Sequence, residues 1–198
     1  MGIDVTCTSS WLGIQSNTKL GNEITKRAID RYPEFVVGYV TINPLYIENI
    51  GEEAEYWHGE MGFKGCKPYY PRNHVRYNDP VYTPWWEYAN EHKLFALLHL
   101  YSDSKTAASD VKDLAETYPD MSFLLAHSGI SLDTARKHVD MARENENVFL
   151  EITYTAVTHG SIEYMVEEIG ADRVIFGTDA PMRDPRPQFG WAVYSDIS

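Results

Sequence analysis

Seven short apolar runs recur along this chain at nearly constant spacing, and that rhythm restricts the possible folds more than any other feature. The runs begin at Val5, Phe35, Gly62, Leu94, Ser122, Val148 and Arg173. They end at Ser10, Asn43, Tyr70, Tyr101, His127, Tyr154 and Asp179. Successive starts lie 25 to 32 residues apart, which is the length of one strand-plus-helix unit. Most runs are rich in Val, Ile, Phe and Leu. Several lack clean alternation, as strands covered on both faces do.

The segments between the runs read as helices. Asn22 to Tyr32 stops before Pro33, and Ser104 to Tyr118 stops before Pro119. Thr83-Pro84 is an N-cap with proline in the first turn, leading into WWEYANEHK. Leu132 to Glu144 follows Ser131, and Ser161 to Ile169 closes at Gly170. Ile47 to Glu60 is a largely acidic helix. No linker or low-complexity stretch interrupts the pattern, so one domain over residues 1–198 is expected. Such a series builds either a doubly wound open sheet or a (β/α) barrel. Both place functional groups at the carboxyl ends of the strands.

Composition narrows the partners. The 198 residues carry 17 basic and 29 acidic side chains, a net charge of −12. That disfavours nucleic acid and anionic membranes, which reward a basic face. No apolar run approaches the roughly 20 residues that span a bilayer, and Met1-Gly2-Ile3-Asp4 lacks the layout of a signal peptide. Cys7 and Cys66 cannot form a disulfide framework. A cytoplasmic protein acting on a small molecule is the expectation.

Polar residues gather at the ends of the apolar runs. Lys67 ends the third, His99 lies near the end of the fourth, and His127 ends the fifth. Glu151 lies in the sixth, with Thr153 and Thr155 after it, and Asp179 ends the seventh. Neutral imidazoles and a carboxylate suit a divalent cation, and Asp or His can move a proton beside it. The same residues also have structural readings: a core histidine on a backbone carbonyl, a helix-capping turn, a turn aspartate before Ala180-Pro181. No GxxxxGK[ST], GxGxxG or GxSxG segment occurs, so phosphate-loop and serine-hydrolase chemistry have no support.

Three segments carry a resemblance. LLHLYSD around His99, LLAHSG around His127 and VIFGTDAP around Asp179 resemble the amidohydrolase superfamily, in its amidohydrolase-2 branch of metal-dependent hydrolases and decarboxylases. The resemblance implies a distorted TIM-like (β/α) barrel, with the seven runs as family strands two to eight. It implies that His99 and Asp179 bind a divalent metal, zinc being expected, and that His127 is a further ligand or the catalytic histidine. Asp179 would also shuttle a proton. Lys67, Tyr69 and Arg183 are the expected substrate contacts, Lys67 as a cation for an acid or a lysine reaching the rim, Arg183 holding a substrate carboxylate or solvated among Pro181, Pro185 and Pro187. The implied reaction is hydrolysis or non-oxidative decarboxylation of a small acid, amide or lactone. The alternative is a catalytically inactive barrel that binds a small molecule or assembles subunits.

One departure stands out. The family's first strand carries a His-x-His pair, and no His-x-His occurs in these 198 residues. The chain therefore resembles an α/β barrel of seven parallel strands with flanking helices, incomplete for want of its first strand and final helix. An open barrel has two unpaired edges, here the Val5 and Arg173 runs. Such edges are covered, closed on each other or paired with another subunit, so a homodimer is expected. The segment from Pro71 to Pro84 reads as a lid or a dimer contact.

Overall fold

The computed structural model describes residues 2–100, 104–153 and 157–197. Strand β1 (Thr6–Thr8) leads through α1 (Trp11–Gln15) and α2 (Thr18–Arg31) to β2 (Val36–Ile42). Helix α3 (Ile50–Ala54) continues as a π-helical stretch over Glu55–Glu60 and delivers the chain to β3 (Gly65–Pro68). Helices α4 (Tyr70–Asn73) and α5 (Thr83–Glu91) precede β4 (Phe95–Leu98). Then follow α6 (Ser104–Thr117), β5 (Ser122–Leu125), α7 (Leu132–Glu144), β6 (Val148–Glu151), α8 (Ser161–Ile169), β7 (Val174–Ile175) and α9 (Pro185–Val193).

All neighbouring strands pair in parallel, and their order in the sheet is their order in the sequence, β1 to β7. A doubly wound sheet reverses its winding at a switch point, and this order has none. The sheet instead curls one way into an incomplete TIM-like barrel with helices outside it. Among the described residues β1 and β7 do not pair with each other.

The largest fully buried side chains lie in the segment joining β3 and β4. Trp85, Trp86, Tyr77 and Tyr82 are almost wholly buried there. Their polar ends are used: Trp86 Nε1 donates to the Tyr77 carbonyl, and Asn73 Nδ2 donates to the Tyr82 hydroxyl. Arg76 pairs with Asp110, a wholly buried residue of α6. Residues 71–84 are therefore anchored to the core at Asn73, Tyr77 and Tyr82, while Pro71, Arg72, His74, Arg76, Pro80 and Val81 remain exposed. At the opposite end of the sheet, Asn147 Nδ2 bridges the Ala115, Tyr118 and Met121 carbonyls, and Arg173 caps those of Ala142, Asn145 and Val148. These bonds satisfy carbonyls left over where helices end.

The strands are shorter than the apolar runs. The third run loses Tyr69 and Tyr70 because Pro68 has no N–H for the ladder, and the chain turns at once into α4. The seventh run pairs only at Val174 and Ile175. Helix α9 starts in the proline-rich segment after Asp179, with Pro185 at its first position, where no N–H is needed. Tyr101 and Thr155, which the sequence reading placed near the site, lie outside the described residues.

Candidate active site

The carboxyl ends of β3 to β7 open into one cavity of about 740 Å³. Lys67, Tyr69, His99, His127, Asp179 and Arg183 all line it, joined by Glu151. All six residues expected from the sequence therefore share one wall system. Lys67 belongs to β3, His99 directly follows β4, His127 follows β5 by two residues, and Glu151 ends β6.

The backbone singles out two of them. His127 has φ 64° and Asp179 has φ 58°, both left-handed. Few non-glycine residues adopt that region, and those that do concentrate at functional sites. Of the two others among the described residues, His74 caps α4 and Lys93 follows α5.

The two imidazoles form one hydrogen-bonded unit whose tautomers follow from their partners. His127 Nδ1 lies 2.5 Å from the Thr153 carbonyl, which can only accept, so Nδ1 carries the proton. Burial pushes the His127 pKa down, which leaves Nε2 as a lone pair. His99 Nδ1, 3.1 Å from that Nε2, is then the donor. Burial, helped by His127 and Lys67, takes His99 down to about 3. Its Nε2 lone pair has no hydrogen-bond partner among the described residues. Both rings are neutral, and they meet edge to face at 4.8 Å.

Neighbouring side chains hold this unit in place. The Tyr77 hydroxyl donates to the His99 carbonyl at 2.7 Å, and the Tyr69 ring meets His99 edge-on at 5.2 Å. Next to His127, Ser128 Oγ donates to the Leu125 carbonyl and accepts from His138 Nδ1, each at 2.8 Å. Tyr77 and His138 are supports the sequence reading missed. Tyr77 sits in a proline-bounded segment and His138 in an ordinary helical pattern, so neither carries a sequence signal.

Lys67 and Glu151 are both buried beside the cavity. Burial pushes Lys67 down and Glu151 up, while attraction between the two charges opposes both shifts. Glu151 Oε1 accepts from the Thr153 N–H and hydroxyl, while Oε2 is buried without a partner among the described residues. The chain after β7 passes so close that a Cβ on Gly177 would lie 1.7 Å from Glu151 Oε1. Only glycine fits there, which explains the Gly before Thr178-Asp179. Asp179 lies 4.0 Å from Arg183 Nε.

These donors suit a divalent cation in kind. Both nitrogens of His127 are occupied within the protein, so among the described residues the donors left open are His99 Nε2, the Asp179 carboxylate and Glu151 Oε2. Among the described residues, no group of three or more His, Cys, Asp or Glu side chains converges to hold a metal. The expected three-residue set is thus present in one cavity, but with His127 turned to His99.

The family model described as Amidohydrolase matches residues 11–197, and the chain belongs to the amidohydrolase family. Solved structures share the fold. The 5-carboxyvanillate decarboxylase of Novosphingobium aromaticivorans, complexed with manganese and 4-hydroxy-3-methoxy-5-nitrobenzoic acid, is 15% identical with a TM-score of 0.75, covering 100% of this chain and 72% of that one. The 2,6-dihydroxybenzoate decarboxylase from Rhizobium is 16% identical with a TM-score of 0.71, covering 100% and 79%. The 4-oxalomesaconate hydratase from Rhodopseudomonas palustris is 18% identical with a TM-score of 0.66, covering 91% and 65%. No curated protein matches the chain. The ion in the first of these is manganese, so zinc in particular finds no support. No helix among the described residues is long and apolar enough to cross a membrane.

Proposed function

We propose that this protein carries out the non-oxidative decarboxylation of a small organic acid, with hydrolysis of a related substrate as the second chemistry open to the site. The observation that carries this reading is the neutral His99–His127 pair facing Asp179, Lys67 and Arg183 across one cavity. Lys67 and Arg183 supply the positive charge that holds a carboxylate. His99 Nε2 and the Asp179 carboxylate would hold a divalent cation, manganese or another, which when bound polarises a substrate oxygen. Loss of CO2 breaks a carbon–carbon bond and leaves its electron pair on the substrate carbon, which must then take a proton. Asp179 and His127 handle that proton. His127 Nδ1–H is anchored on Thr153, so exchange at this ring goes through Nε2, the atom it shares with His99. A cytoplasmic homodimer that covers the open edges at β1 and β7 completes the reading.

The test is turnover. Manganese-loaded protein is offered a panel of hydroxybenzoic and unsaturated aliphatic acids while CO2 release is followed. At least one acid is expected to turn over, with His127→Ala and Asp179→Asn each lowering kcat by about 10²–10⁴-fold. No turnover across the panel, or a His127→Ala rate equal to wild type, contradicts the proposal.

A further inference from the structure

A side lobe adjoins the main cavity. It holds about 150 Å³ and lies between α1 and the carboxyl ends of β2 and β3. Ile14, Lys67 and Tyr69 line both spaces, so the lobe begins where the expected substrate contacts stand. Among the described residues its lining includes no Asp or Glu, although the chain as a whole carries a charge of −12. The main cavity, by contrast, is lined by Asp133, Glu151 and Asp179 as well as by cations.

Most polar groups of the lobe are already used. The Thr41 hydroxyl donates to Asn22 Oδ1, Asn43 Oδ1 caps Leu45, and Asn73 holds Tyr82 and Val75. These bonds stiffen the wall and leave it little further demand for partners. Two cations differ. Lys67 at the inner end and Arg72 at the outer end make no ion pair within 4 Å among the described residues. A small space with no acid in its lining among the described residues, Arg72 on its exposed side and Lys67 shared with the main cavity, suits a negatively charged group.

We propose that the side lobe is a second acid-binding subsite, held by Arg72, and that the substrate is a two-ended acid. One carboxylate reacts in the main cavity, and the other passes Tyr69 to reach Arg72. This rests on the main cavity being the substrate site. Arg72 is exposed and outside the core, so it selects substrate without taking part in the chemistry.

The experiment is calorimetric titration of the full chain with α,ω-dicarboxylates from succinate to suberate, beside monocarboxylates of equal length. At least one diacid is expected to bind tenfold or more tightly than its monoacid. Arg72→Gln is expected to erase that margin and leave monoacid binding within twofold, and Arg72→Lys to retain part of it. Monoacids binding as well as diacids would overturn the subsite and leave the main-cavity reading standing. A diacid preference untouched by Arg72→Gln, or an equal loss for both acids, would also overturn the subsite. If no acid of either kind binds wild type, both readings fall together. The wild-type comparison needs no variant to fold.

Discussion

The two sides of the cavity rim are held in different ways. His99 and His127 stand on β4 and β5, above Leu98 and Leu125, which are wholly buried. The backbone of His99 is tied to Tyr77, and the ring of His127 to Thr153. Asp179 stands on the other side, exposed, four residues beyond a two-residue strand that is itself only half buried. Its segment is fixed by the fit of Gly177 against Glu151 and by Gln188 of α9, whose Nε2 donates to the Ile152 carbonyl. The difference teaches that the imidazole pair is preorganised by the core. The acid's position depends on a few local contacts, so the two sides should respond differently to perturbation.

The largest effect should come from the firm side. Trp85 is fully buried and donates to His58 Nε2, so Trp85→Ala should cost about 3–5 kcal/mol in urea denaturation. A loss below about 1 kcal/mol would mean that this side is not the tighter one. Acid should act on the same side. His58 and His138 are both buried, and burial pushes each down to about 4. In the unfolded chain they take protons near 6.5. Stability should therefore be intact above about pH 6.5 and fall as pH drops towards 4, with a slope approaching about 2.7 kcal/mol per pH unit for the two groups. Denaturation midpoints measured across that window check this.

The loose side should yield smaller stability losses. Gly177→Ala should cost about 1–3 kcal/mol through overpacking against Glu151, and it should speed amide exchange around Asp179 while leaving exchange near His99 unchanged. Equal changes at both places would dissolve the contrast. Phe176, only half buried, should cost less than about 2 kcal/mol when truncated to alanine.

Much of this was legible in the sequence. The spacing of the apolar runs gave seven parallel strands in order, and polar residues closing those runs gave the members of the cavity. Both signals are periodic and local. The direction of curl was not local: it required the strand order, which excludes a doubly wound sheet. The strand lengths were overread because Pro68 and the close pass at Gly177 end pairing early, and apolar character alone does not report a missing N–H or a steric contact. The anchoring of residues 71–84 through Tyr77 and Tyr82 was also hidden. Tyr77 and Tyr82 look like loop aromatics until α5 and α6 pack over them. The pairing of His127 with His99, which removes His127 from the available metal donors, depends on the His99 Nδ1–H meeting the His127 Nε2 lone pair across 28 residues of sequence.

The His99–His127 pair is the centre of the site, and nitrogen NMR of the histidine rings at pH 7 tests it most directly. His99 and His127 should both appear as neutral rings protonated at Nδ1. Added zinc, a diamagnetic stand-in, should shift His99 Nε2 and leave His127 Nδ1 protonated. An Nε2-protonated or cationic His127, or a zinc titration that moves neither ring, would contradict it.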